Sequence, residues 1–255
     1  MSLDPKTSNY FPGMYHKNRS IGKQMAENYF HRLDEKLLHS IKEAGRQLPL
    51  PSICLSRKIG IGALEIADLL SERLHYVVVD RQIIEYISSN AALSQKTVEV
   101  FDERYPGKMN EFKNFLFGEK AFIESDYSRH LTQSVLALAG LSPSIFVGRG
   151  THLILPRDRT LAVRLTGSIQ TRVKRLGAIL SRDEAFCRAE LAKQDAEQAA
   201  FFKKVYGKKD APATEFDLVI NRDYLEDPNM VVDIIEFAFH KKFGKELPSD
   251  SRKTS

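Results

Sequence analysis

Apolar and polar positions along the chain repeat with two periods, and together they predict an α/β protein. Short continuous apolar runs near 52–56, 76–79, 144–147, 161–165 and 216–220 predict five buried strands. Between them the spacing is helical. Ala63, Ile66, Ala67, Leu69 and Leu70 share one face. Further helices are expected over Arg81–Ser88, over Gln95–Tyr105 and Lys108–Phe117 on either side of Pro106-Gly107, and over Glu119–Ala139. Arg172 and Arg175 stand one turn apart on the next. Ser181-Arg182-Asp183-Glu184 has the form of a capping box opening a long charged helix through Tyr206. Asp227 is placed to cap a last helix that begins at Pro228 and runs to Phe239. Strands joined through helices imply parallel pairing.

A different pattern precedes the first strand. From Ile21 to Ala44, apolar residues recur every fourth position (Ile21, Met25, Tyr29, Leu33, Leu37, Ile41) and charges fill the other face. This predicts one amphipathic helix, suited to packing on the main domain or on a second copy in a homodimer. The division expected is an N-terminal extension (1–48), an α/β domain (49–242) with helical insertions at 81–143 and 178–213, and a polar, disordered tail (243–255).

Composition adds limits. Of 255 residues, 42% are hydrophobic and 28% charged, the balance of a globular domain. No apolar run nears the ~20 residues of a membrane span, so no membrane partner is expected. The N-terminus lacks an apolar signal core, and two cysteines without motif spacing suit a reducing, cytoplasmic setting. The net charge of +5 fits an anionic ligand such as a nucleotide. Its basic residues are spread rather than massed, which argues against nucleic acid. His130, His152 and the other histidines have no metal-ligand spacing, so no metal site is expected from them.

Candidate chemistry gathers between Ser52 and Asp80, where strand, glycine turn, helix and strand form a βαβ unit. A glycine turn opening a helix presents free backbone N–H groups and the positive helix end at one point, which suits phosphate. Two patterns compete. The dinucleotide fingerprint G-x-G-x-x-G fits Gly60 and Gly62, with Asp80 near the place of a ribose-binding acid, but Glu65 replaces the third glycine. The P-loop G-x-x-x-x-G-K-[ST] would end its turn at Gly62, but Arg57, Ala63 and Leu64 stand for its first glycine, its lysine and its hydroxyl. A second glycine turn, Gly148-Arg149-Gly150, follows the 144–147 strand. In open α/β sheets ligands sit beyond such strand ends, so Arg149 is placed to meet a phosphate.

Taken in order, these pieces resemble the cytidylate-kinase-like branch of the P-loop nucleoside monophosphate kinases over about 50–242. They are Ile53-Cys54-Leu55-Ser56-Arg57 with Gly60 and Gly62, Glu65-Ile66-Ala67, Asp80 with Ile83-Ile84, Phe146-Val147-Gly148-Arg149-Gly150, Arg172 with Arg175, Asp195, and Phe216–Asn221. The resemblance implies a P-loop NTPase-type three-layer α/β/α fold with a five-stranded parallel sheet. It also implies transfer of the ATP γ-phosphoryl group to a nucleoside monophosphate such as CMP, with Mg²⁺ carried by the nucleotide. The turn and helix start (Arg57, Gly60, Ile61, Gly62, Ala63, Leu64, Glu65) would hold the donor phosphates, and Lys58 could reach them from the other side. Asp80 and Arg149 would meet the acceptor. Arg172 and Arg175, with Lys193 and Asp195, would serve the lid. The departures bear on this. The branch usually has serine and glycine where Ile61 and Ala63 stand, and arginine at Leu64 and Gln198. An arginine on a transferring phosphoryl group can be worth ~10³–10⁵ in rate. A catalytically degenerate nucleotide-binding or regulatory module is therefore the alternative reading.

Overall fold

A computed structural model describes residues 51–90, 94–95, 97–99 and 125–244. The helix expected at 21–44, the one at 108–117, most of 95–105 and the start of 119–139 lie outside the described residues, as do the tail from 245 and the whole of the extension. Residues 94–95 and 97–99 are helical.

The described residues form five strands: β1 (Ser52–Arg57), β2 (Val77–Val79), β3 (Ser144–Val147), β4 (Thr160–Thr166) and β5 (Leu218–Asn221). They make one parallel sheet in the order β2-β3-β1-β4-β5. β1 lies at its centre, with Ile53 opposite both Ile145 and Leu161. Because side chains alternate across a pleated strand, β1 feeds two cores. Cys54 faces one, with Phe146 and Ala162, and Ile53 and Leu55 face the other. The helices are α1 (Ala63–Leu74), α2 (Arg81–Ser89), α3 (Asp126–Leu141), α4 (Ile169–Leu180), α5 (Glu184–Tyr206) and α6 (Pro228–Phe243). α3 and the end of α5 cover the Cys54 face, and α1 and α6 cover the other. A third, smaller cluster joins Ile59 of the first turn to α4 and α5 through Val173, Leu176, Cys187 and Leu191. This is the α/β P-loop NTPase-like architecture.

Element ends moved for local reasons. β5 begins at Leu218, not at 216, because Asp217 pairs otherwise. Its carboxylate accepts from the Ala162 N–H at 2.7 Å while its own N–H donates to the Ala162 carbonyl at 2.8 Å. The expected box at Ser181 is not formed. Ser181 ends α4 with φ 54°, and Asp183 caps α5 by accepting from the Phe186 N–H. α3 runs past Gly140 to Leu141, and α6 past Phe239 to Phe243, whose ring is buried against Phe239 at 5.3 Å between centroids.

Candidate functional site

The sheet places two glycine turns side by side at the C-terminal ends of β1 and β3. The second, Gly148-Arg149-Gly150, has all three φ angles positive (87°, 54°, 67°). That geometry turns the chain so that the Arg149 side chain enters a pocket, while the Arg149 carbonyl accepts from the Tyr206 hydroxyl. A Cβ at Gly150 would come within 2.5 Å of the Tyr206 ring, so glycine is required there.

The pocket holds about 410 Å³ counting the solvent at its mouth, and it is lined by Ser56, Arg57, Arg81, Arg149, Glu197 and Gln198, with Phe201 and Phe202 behind. Three guanidinium groups therefore meet in it. Arg149 lies over the Phe201 ring, 3.9 Å from its centroid, and pairs with Glu85. Arg81 Nε donates to both Glu85 oxygens at 3.2 Å. Arg57 donates to the Gln198 side-chain oxygen at 3.1 Å, and the Gln198 amide returns a bond to the Arg57 carbonyl at 3.2 Å. Burial lowers the pKa of Arg149 to about 9, helped by the like charges of Arg81 and Arg57. Burial also lowers that of Arg81. Within the described residues, the buried Arg149 Nε has no hydrogen-bond partner. Such a crowded cationic site is relieved by an anion.

The first turn is arranged differently. Gly60 and Gly62 take φ near 82° and 83°, and Gly62 caps α1 without a side-chain bond. The hollow they make is covered from α4 and α5. The Arg175 guanidinium lies against Gly62, 2.7 Å from where a Cβ would stand, and pairs with Glu65. Leu191 covers Gly60 in the same way at 3.0 Å. Arg172 donates to the Ile59 carbonyl at 3.2 Å and to both Asp195 oxygens at 3.0 and 2.8 Å. Ile59, Ile61, Ala63 and Leu64 are buried in hydrophobic clusters. Leu64 offers no hydroxyl to a magnesium ion and Ala63 no ammonium to a phosphate, so the residues at this turn do not fit ATP·Mg²⁺ in this arrangement.

The remaining sequence candidates are placed as follows. Lys58 points to Asp210 at 2.9 Å, which Arg164 also contacts at 2.8 Å. Burial raises the Asp210 pKa, but the hydrogen bonds from Lys58 and Arg164 overturn this and hold it near 2. Asp80 caps α2, accepting from the Gln82 and Ile83 N–H groups at 2.9 and 3.0 Å. Lys193 is exposed on α5. Thus Arg57 and Arg149 share the pocket, whereas Lys58, Arg172, Arg175 and Asp195 are held in pairs elsewhere. Sequence reasoning missed Arg81, Glu85 and Glu197. The signal was present: Arg81 follows the cap residue directly, and Arg81 and Glu85 are spaced i, i+4.

A family model described as the cytidylate kinase-like family matches residues 52–224. Comparison with curated proteins finds no match. Among solved structures, an uncharacterized protein from Eubacterium ventriosum is similar over 75% of this chain and 98% of its own, at 16% identity and a TM-score of 0.56, a likeness of fold. A shikimate kinase from Bacteroides thetaiotaomicron is more distant, at 14% identity and a TM-score of 0.38 over 76% of this chain and 98% of its own. Among the described residues, no helix is long and apolar enough to cross a membrane.

Proposed function

This chain belongs to the cytidylate kinase-like family, and from that premise we propose that it binds a CMP-like nucleoside monophosphate without efficient phosphoryl transfer. The phosphate enters the pocket of Arg57, Arg81 and Arg149. One observation carries this reading: the acceptor-side pocket gathers three arginines, while the donor-side turn is covered by the protein's own Arg175 and Leu191. A phosphate among three guanidinium groups makes charge-assisted, bidentate hydrogen bonds. ATP and Mg²⁺ would have to displace Arg175 from Gly62 and would still find no lysine at Ala63.

A second reading keeps the full reaction, the ATP γ-phosphoryl group passing to the monophosphate. It is favoured by Arg172 and Arg175, which sit beside the turn and could face a donor phosphate once Asp195 and Glu65 released them. The test is thermal unfolding with CMP, other nucleoside monophosphates and inorganic phosphate, run beside a coupled assay with ATP and Mg²⁺. A monophosphate is expected to raise the Tm of the native protein more than that of Arg149→Ala at the same concentration, with no acceptor-dependent ADP formation. No rise with any monophosphate would reject the binding reading. Sustained acceptor-dependent turnover would replace it with the second.

A further inference from the structure

On α6, Val231, Val232, Ile235, Phe239 and Phe243 face the core. Met230, Ile234 and Phe237 recur at i, i+4 and i+7 on the opposite side and are 50%, 37% and 64% exposed. The stripe is bordered by charge. Lys241 lies 5.2 Å from the Phe237 ring centroid, and Arg73 of α1 binds Asp233 and Glu236.

The foot of α6 adjoins the point where the chain enters the sheet. Lys242 donates to the Thr160 carbonyl at 2.8 Å and to that of Arg157 at 3.2 Å. Thr160 is the register partner of Ser52, the first residue of β1. The first fifty residues therefore join the domain one strand away from this helix end.

We infer that residues 21–44 of this same chain dock on the Met230–Ile234–Phe237 stripe. Their four-residue apolar recurrence, read from the sequence, supplies a face of matching chemistry and period. Gly45 to Leu50 can span ~20 Å when extended. Phe237 lies five residues before Lys242, about 7.5 Å along the helix, and on its outer side, about 10 Å across, so the near end of the stripe is within reach. Area decides between this segment and a separate partner. Three partly exposed side chains offer on the order of 300 Å², against about 800 Å² per side in a stable complex. A tethered segment needs far less, because its effective concentration is already of millimolar order.

Hydrogen exchange on the full-length protein tests this, comparing the native chain with an Ile234→Glu/Phe237→Asp variant. Amides within 21–44 of the native chain are expected to exchange at least tenfold more slowly than in the free peptide. In the variant most of that protection is lost, while β1 and β4 amides keep theirs and so report an intact sheet. Docking is overturned by exchange in the native chain as fast as in the peptide, or by protection that the variant leaves unchanged. Protection that grows with protein concentration also overturns it, since the occupant is then a second copy.

Discussion

Guanidinium groups repel one another in a site shielded from water, yet Arg57, Arg81 and Arg149 share one pocket, where Glu85 pairs with Arg149 and Glu197 lies in the lining. Replacing Arg149 by alanine should weaken monophosphate binding by about ten- to a hundredfold, since charge-assisted bonds contribute roughly 1.5–3 kcal/mol. Titration calorimetry measures it, and an unchanged affinity would place the phosphate elsewhere. His152 makes a separate prediction. Buried against Phe216 at 4.5 Å and bonded to Glu215 at 3.3 Å, it is pushed by burial to a pKa of about 4, against the opposing pull of Glu215 and with help from Arg157 and Lys208. The unfolded chain takes up this proton below about pH 6.5. Stability is therefore full above that pH and is lost as pH falls toward 4. Urea unfolding at pH 7 and pH 5 should show the loss, and His152→Gln should flatten it. At this scale the sequence was half legible. It marked Arg172, Arg175, Lys58 and Arg149 as cations near phosphate, but their carboxylates, Asp195, Glu65, Asp210 and Glu85, lie 23 to 152 residues away along the chain. No local pattern shows such pairings.

Elements were more legible than their ends. All five strands sit where the apolar runs put them, because a buried parallel strand leaves a continuous signature. β5 starts late because the Asp217 carboxylate substitutes for a ladder group, which no propensity encodes. The turn after β3 carries a prediction of its own. Gly150→Ala must hold φ at 67° and place a methyl group against the Tyr206 ring. The strain and overpacking should cost roughly 2–4 kcal/mol of unfolding free energy, read from the denaturation midpoint. Tyr206→Phe at the same contact removes only the hydroxyl bond to the Arg149 carbonyl and should cost about 1 kcal/mol. If both variants lose equally, crowding at Gly150 is not the cause.

Across the molecule, α5 belongs to two places at once. Its last turn buries Phe202, Val205 and Tyr206 in the core shared with Cys54 and Phe146, while Asp195, Glu197, Gln198 and Phe201 lie along the turn and pocket. Any lid movement over 178–213 is thereby confined to the part before Phe201, for a swing of the whole helix would uncover the core. A monophosphate at 100 times its Kd should add about 2.7 kcal/mol to global stability. The same ligand should leave limited proteolysis near Lys208–Asp210 unaltered, since Lys58 and Arg164 already fix that loop. Faster cleavage there on ligand addition would mean that binding releases the loop.

Internal pairing also shapes how binding will respond to added electrolyte. Arg81 and Arg149, partly compensated by Glu85, hold fewer mobile counterions to release when a phosphate arrives. Affinity measured from low to high ionic strength should therefore decline more gently than three unmatched arginines would dictate. Glu85→Gln, which strips the compensation from Arg81 and Arg149, should steepen that slope.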